Sequence, residues 1–341
     1  MVDSCLDPTT KRPAALHYLE SLGLNVSSCV RFIVATHWHD DHMQGISNVF
    51  HQSTGAVFSC TAAVRQADFD EVLGAWEGTR LLSGGSGIDE LRKILAELKT
   101  RTSGTGFPSP RLALANKVLW KRQTEPSAVV TALSPSDAAV MASINRLKPV
   151  MPAFSKARRR LPNMEPNDSS VVLSVQVGPH QVLLGADLEV RKDRGFGWLA
   201  IVDGLDVGNE SHQVFKVAHH GSPNGYHDEV WDRMLAQQPW AATTPFVSGS
   251  VRLPSVGDCQ QILSRTQNAY LSAPPQPIKF RDPNRTVEKT VNEATLSAHF
   301  VPGKYGQVRL RRQIKEPASS PWRVELFGHA LSMDDYVAAK T

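Results

Sequence analysis

The chain is poor in several things that would otherwise settle its class. It has four cysteines in 341 residues, Cys5, Cys29, Cys60 and Cys259, and no two of them form a Cys-x-x-Cys pair. That excludes a disulfide frame and a cysteine-based zinc knuckle, and it suits a reducing compartment. No apolar run approaches the roughly 18–20 residues that a bilayer span needs. No basic segment followed by an apolar stretch opens the chain, so no signal peptide is visible and the cytoplasm is the default expectation, with no membrane partner. There is no short-period repeat and no low-complexity segment. Aromatic residues make up only 7%. Histidines are unevenly spread: none falls between His51 and His180.

What remains is the composition of an ordinary globular protein, 41% apolar and 21% charged. A chain of this length buries a full core without covalent help. Its net charge of +4 permits a polyanionic partner without demanding one. Basic residues gather at Lys156–Arg160 and at Arg309, Arg311, Arg312 and Lys315. Such runs are most often solvated faces.

Hydrophobic spacing predicts helices over 13–23, 42–51, 88–100, 138–147 and 254–265. In the third of these, Ile88, Leu91, Leu95 and Leu98 share one face. Strands are predicted near 30–35, 55–60, 129–133, 171–175, 182–184, 213–218, 240–244, 308–312 and 323–327. Gly178-Pro179-His180 is a hairpin turn signal, which places His180 at an exposed tip. Residues 102–117 and 148–166 read as loops. Strands alternate with helices and polar clusters sit at strand ends, which describes a sheet-based α/β protein with its chemistry on one rim. The expected organisation is a single hydrolase domain over 1–341, with a loop insertion at about 102–166 and a strand-rich C-terminal extension at about 285–341.

The chemistry concentrates in His37-Trp38-His39-Asp40-Asp41-His42, directly after the apolar strand Val30–Ala35. A divalent transition metal takes neutral imidazole and ionised carboxylate. Residues i and i+2 of an extended segment point the same way, so His37 and His39 can grip one ion. Asp41 and His42 follow as the chain turns into a helix and can reach a second ion beside it. Two ions roughly 3.5–4 Å apart share a hydroxide and clamp an in-line displacement.

The pattern His-x-His-x-Asp-His after a short strand resembles the signature of the metallo-β-lactamase superfamily. The resemblance implies an α/β fold, the αββα sandwich, here without the usual N-terminal strands or with its start placed late. It implies His37 and His39 on one metal, Asp41 and His42 on the other, and Asp40 as a spacer. It implies a bridging aspartate at a later strand end, which Gly185-Ala186-Asp187 fits, and a last histidine after a further strand. His219 and His220 both fit that place. His219 comes first after the strand and is the preferred ligand; His220 then lies behind it or gives a proton to the leaving group. Gly221 would let the substrate approach closely, and Ser222 would either bond a phosphate oxygen or cap the next turn. Asp3 is either an ordinary turn residue or the carboxylate that supports the metal loop. Many members carry one more histidine ligand before the bridging aspartate. This chain has none there, so one metal is expected to have fewer protein ligands and more water.

A narrower likeness covers roughly 30–60 and 167–270. Asn167–Leu173, Leu183–Asp187 and Phe215–Ser222 resemble the soluble hydrolase domain of the DNA-uptake channel ComEC and its stand-alone relatives. The expected function is a metal-dependent hydrolase that uses a metal-activated hydroxide. Its cofactors would be one or two divalent ions, zinc first and manganese as the alternative. Its substrate would be a phosphodiester, with nucleic acid as a partner. The catalytic residues would be Asp41, His220 and Ser222, and the metal ligands His37, His39, Asp41, His42, Asp187 and His219. The competing readings are a carboxylic ester, thioester or lactone hydrolase, and a non-catalytic metal-binding subunit.

Overall fold

The structure is a computed structural model that describes residues 1–63, 87–102, 110–147, 166–205, 211–276 and 305–341. The basic run Lys156–Arg160 lies outside the described residues. In chain order the strands are β1 (Phe32–Ala35), β2 (Val57–Thr61), β3 (Arg111–Ala113), β4 (Lys117–Arg122), β5 (Ala128–Ala132), β6 (Leu173–Val177), β7 (His180–Leu184) and β8 (His212–Lys216). They continue with β9 (Leu235–Thr243), β10 (Phe246–Ser248), β11 (Val251–Leu253), β12 (Ala269–Leu271), β13 (Gly306–Arg311), β14 (Arg323–Gly328) and β15 (Leu331–Ser332).

β1, β2 and β3 form a parallel sheet in that order. The N-terminal residues run along the free edge of β1, with Asp3 N donating to Val34 O at 2.9 Å. The larger sheet has eight strands in the order β15-β12-β9-β8-β7-β6-β5-β4. Within it β7, β8, β9 and β12 are mutually parallel, while β4 to β7 form an antiparallel meander. The pairs β10–β11 and β13–β14 stand as separate two-stranded sheets.

Side-chain alternation fixes the layers. On β1, Phe32 and Val34 join Ala113, Leu119, Ala132 and Leu173 in one apolar cluster, which is the filling between the two sheets. Ile33 and Ala35 point the other way, into a cluster with Leu16, Phe50, Phe58, Ile94 and Leu98. Those residues come from the helices Ala14–Ser21, Ile46–Gln52 and Gly87–Thr102 and from β2. A strand covered on both faces needs an unbroken apolar run, and all four residues of β1 are buried. On the outer face of the larger sheet, Leu183, Phe215 and Val217 pack against Trp198, Trp231, Ile262 and Tyr336. These belong to the helices Gly197–Asp203, Asp228–Met234, Val256–Leu263 and Met333–Ala338. The order is therefore helices, sheet, sheet, helices, the α/β layering expected from the sequence.

The differences are local. β3 and the first residue of β4 fall in the predicted loop 102–117, because a three-residue strand is too short to show a period. The helices Gly197–Asp203 and Asp228–Met234 and the β10–β11 hairpin were not predicted. His180 is not at an exposed tip. Gly178-Pro179 makes the turn alone, Gly178 takes φ +55°, and His180 is the first residue of β7, buried with its ring against Trp322. All four cysteines are free, and no helix among the described residues is long and apolar enough to cross a membrane.

Candidate metal centre

Three strand ends meet at one place. β1 ends at Ala35 and releases Thr36–His39, which leads into the short helix Asp40–Met43. β7 ends at Leu184 and releases Gly185-Ala186-Asp187. β8 ends at Lys216 and leads, after two residues, to His219-His220-Gly221. All three are carboxyl ends of parallel strands, where open α/β sheets place ligands. The approach of β7 to β8 depends on Gly185: a Cβ there would lie 2.9 Å from both Ala218 Cβ and Lys216 O. Four non-glycine residues at this junction take left-handed backbone, Asp3 (φ 54°), Ala186 (φ 45°), His219 (φ 46°) and His220 (φ 56°). Each costs on the order of 1–3 kcal/mol, and such strain concentrates where side chains must be aimed.

The aim produces two donor sets that share one carboxylate. Asp41, His42, Asp187 and His220 form the first, and His37, His39 and Asp187 the second. Within each set the ligand atoms lie within 4.8 Å of one another. A cation with bonds of about 2.1 Å spans ligands up to about 4.2 Å apart, so a small closure would bring either set to bonding distance. His37 Nε2 is 3.7 Å from Asp187 Oδ2, His42 Nε2 is 3.2 Å from Asp187 Oδ1, and His220 Nε2 is 3.4 Å from Asp187 Oδ2 and 3.1 Å from Asp41 Oδ2. Asp187 is 2% exposed, yet its Oδ1 makes no hydrogen bond. An orphaned carboxylate oxygen facing imidazole nitrogens is a poor end state for a protein interior and a good one for a metal ligand. The residues present fit a divalent ion in each set.

The groups behind the donors set which nitrogen is free. Asp3 accepts from Thr36 N and from Thr36 Oγ1, both at 2.8 Å, and lies 2.7 Å from His42 Nδ1. A carboxylate only accepts, so His42 Nδ1 keeps its proton toward Asp3 and Nε2 is the nitrogen that would ligate once it gives up its own. Thr36 Oγ1 spends its proton on Asp3 and accepts from His37 Nδ1 at 3.0 Å, which frees His37 Nε2. His220 Nδ1 donates to Thr244 O at 3.1 Å, which frees its Nε2. Ser170 Oγ accepts from Asp187 N at 3.1 Å and holds the carboxylate's backbone. Asp3 is thus the supporting carboxylate rather than an ordinary turn residue. Thr36, Ser170 and Thr244 had no signal in the sequence, since each acts through one oxygen supplied by the fold.

Electrostatics follow from this packing. Burial drives the His37 pKa well down, helped by His42, and burial lowers His39 as well. His42 is also buried, but the charges of Asp3 and Asp187 outweigh that and raise it to about 10. Burial opposes ionisation of Asp41, yet the His220 hydrogen bond and the charge of His42 bring it down to about 2. Asp187 is depressed further, against its burial, by His220 and His42. His220 is raised by Asp187 and Asp41 despite burial. Lys216 alternates with Phe215 and Val217 and so points between the sheets. Burial lowers its pKa while Asp187, Asp3 and Asp41 oppose the fall.

His220, not His219, brings a nitrogen to the shared carboxylate, because the left-handed turn swings the two rings apart. His219 faces Glu189 and Asn167 instead, with Nδ1 3.5 Å from Glu189 Oε1. Ser222, expected at a phosphate or a cap, is buried and gives its hydroxyl to Asn224 Oδ1. Gly221 takes φ +73°, and a Cβ on it would meet Pro254, Ile262 and Thr243 at 3.3–3.4 Å. Asp40 is a spacer that accepts from Gly87 N at 2.6 Å. His37, His39, Asp41, His42 and Asp187 stand together as the sequence placed them.

No family model and no curated protein matches the chain. Among solved structures it is similar to metallo-β-lactamases. SMB-1 bound to 2-mercaptoethanesulfonate is 14% identical over 64% of this chain and 68% of that one, with a TM-score of 0.31. The Rm3 metallo-β-lactamase is 16% identical over 64% and 66%, with a TM-score of 0.31. A metallo-β-lactamase of Cronobacter sakazakii is 14% identical over 67% and 76%, with a TM-score of 0.30.

Proposed function

We propose that this chain is a metal-dependent hydrolase of the metallo-β-lactamase superfamily, acting on a phosphodiester. One observation carries the reading: two donor sets meet on a single buried carboxylate, Asp187, whose Oδ1 has no hydrogen-bond partner. His37 and His39 would hold one ion, Asp41, His42 and His220 the other, and Asp187 both. Bound there, divalent ions supply Lewis acidity, lowering the pKa of a ligand water and neutralising charge on a phosphoryl group. Asp3, Thr36 and Thr244 keep the imidazoles in the ligating tautomer. Asp41, with its side chain 38% exposed, is the most open carboxylate of the centre. Zinc suits the imidazole and carboxylate donors, and manganese suits the half that holds two carboxylates, Asp41 and Asp187.

The phosphodiester preference rests on the shared carboxylate, the net charge of +4 and the likeness of Phe215–Ser222 to ComEC-type hydrolase domains. A nucleic-acid substrate would draw on the run Lys156–Arg160. One observation favours a carboxylic ester or thioester instead. The β10–β11 hairpin sets Phe246 against His220, ring centroids 5.1 Å apart, and exposes Val247 and Val251 beside the centre. An apolar arm of that kind suits an acyl chain. Metal-loaded protein tested in parallel against bis(p-nitrophenyl) phosphate, a p-nitrophenyl ester and an acyl thioester decides between them. Turnover of the phosphodiester at least about tenfold above the other two in kcat/KM, a difference of about 1.4 kcal/mol, is the expected result. Preference for the acyl substrates would move the assignment to the second reading.

A further inference from the structure

The second basic cluster of the sequence, Arg309, Arg311, Arg312 and Lys315, lies where β13 ends and the connection to β14 begins. Three of the four are accounted for. Arg309 and Arg311 share Glu325 and the Tyr18 hydroxyl, and Lys315 is exposed. Arg312 is different, for its side chain is 0% exposed. Its Nη1 donates to Ala318 O at 3.0 Å and to His180 Nδ1 at 3.4 Å, and His180 Nε2 in turn donates to Gln313 O at 3.3 Å. Its Nε and Nη2 are buried and have no hydrogen-bond partner. The one carboxylate paired with it among the described residues, that of Glu316, stops 3.9 Å from Nε and is 39% exposed. Burial lowers the Arg312 pKa, and the charge of Glu316 opposes the fall. Trp322 forms the other wall. Arg312 Cζ is 5.3 Å from its ring centroid, and the His180 ring stands edge-on to it at 5.8 Å. The ring face eases the burial of the charge, but Trp322 Nε1 is itself buried without a partner.

A buried guanidinium with a free edge, beside an unpaired indole N–H, calls for an acceptor that carries negative charge. Nε and Nη2 are the side edge of the guanidinium, and their parallel N–H bonds match the two oxygens of one carboxylate. We propose that Arg312, backed by Trp322, is a binding site for a small monocarboxylate, at the end of the larger sheet opposite the metal centre. One buried positive charge is balanced by one negative charge, which favours a carboxylate over a phosphate dianion. The place follows from β7, which begins at His180, against this site, and leads past its other end to Asp187. His180 comes from the sheet, while Arg312 and Trp322 come from the connection between β13 and β14. That connection rests on the β6–β7 turn, where a Cβ on Gly178 would lie 3.4 Å from Ile314 Cγ2. A carboxylate held there ties the C-terminal hairpin to the sheet. Glu316 stands on the solvent side, where an incoming carboxylate would take its place near Nε. Neither the site nor its ligand depends on the metal centre or on the hydrolase reading.

The test uses the full metal-loaded chain with sodium acetate as the probe, and sodium phosphate and sodium chloride at matched ionic strength as comparisons. Proton–nitrogen NMR reads the Trp322 indole N–H, identified by its loss in Trp322→Phe, and the Arg312 Nε–H, identified by its loss in Arg312→Lys. Both report locally, so acetate bound at a metal ion does not enter the reading. Acetate is expected to shift both resonances saturably and to raise Tm as its concentration rises. Arg312→Lys keeps the charge but loses the fork, and should bind acetate at least about tenfold more weakly, read by the Trp322 resonance. Glu316→Gln should bind acetate as tightly as wild type or more tightly, because a competing carboxylate is gone. No saturable shift in wild type overturns the proposal, as does an equal response to chloride. Tighter binding of phosphate than of acetate overturns the ligand class. A response in Glu316→Gln that wild type lacks also overturns it, since Glu316 would then be the guanidinium's own partner. So does an Arg312→Lys chain that folds and binds acetate as wild type does. The wild-type and Glu316→Gln titrations decide the matter even if Arg312→Lys fails to fold.

Discussion

The two halves of the centre share Asp187 but are built differently. The half with Asp41, His42 and His220 has four protein donors, drawn from three strand ends, and two of its imidazoles are locked from behind by Asp3 and by Thr244 O. The half with His37 and His39 has three donors, and His39 Nδ1 lies 3.1 Å from His37 Nε2 with no carboxylate among the described residues bonded behind either ring. A four-donor set with fixed tautomers holds an ion; a three-donor set leaves positions for water and substrate. On the proposed reading, the asymmetry would give retention to one half and exchangeable chemistry to the other.

The strongest way to break this comparison is to remove what the halves share. Asp187→Ala should empty both and reduce hydrolysis by more than about a hundredfold, beyond the 10- to 100-fold typical of changes behind the ligands. Metal content and kcat/KM on the same preparation check it. Next in size, Asp3→Asn should weaken the four-donor half by about 10- to 100-fold and spare the other, because Asp3 orients His42 directly. Equal weakening of both halves would show that Asp3 acts through Thr36 and the whole loop instead.

Acidity sharpens the comparison from another side. In the metal-free chain His42 lies at about 10, above its ordinary 6.5. Its proton therefore stabilises the metal-free fold fully below about pH 6.5, and that contribution is lost as the pH rises through about 10. Asp41, depressed to about 2, stabilises it above its ordinary range and loses that effect as the pH falls through about 2. Loading the four-donor half at pH 7.5 must displace the His42 proton. Its affinity should rise about tenfold per pH unit from pH 7 to 9. Calorimetry in buffers of different ionisation enthalpy counts the protons released. The His37–His39 half, whose imidazoles are already neutral by burial, should show little such dependence. The smallest effect is structural. Gly185→Ala, which would push Ala218 and Lys216 away, should cost about 1–3 kcal/mol in a denaturation experiment.

Much of this was legible in the sequence because it is local. His37, His39, Asp41 and His42 lie on one extended-to-helical segment, and Asp187 was expected from the family resemblance, which asks for an aspartate at a later strand end. The choice between His219 and His220 was not legible. It depends on two consecutive left-handed residues, and no side-chain pattern announces them. Thr36, Ser170 and Thr244 were invisible for a related reason: what matters is one oxygen at the right point, and two of the three come from distant segments. The layered fold could be read from the apolar strands and the amphipathic helix at 88–100. The three-residue β3 and the helices Gly197–Asp203 and Asp228–Met234 could not, being too short to carry a period of their own.

A stepwise metal titration of the wild-type chain against a competing chelator, with zinc and then manganese, tests the central claim most directly. Two ions that share Asp187 in unequal halves predict two equivalents in two separate steps, the tighter one lost in His220→Ala and the weaker one lost in His37→Ala. A single step, an equal loss of both ions in either variant, or no uptake at saturating metal would contradict it.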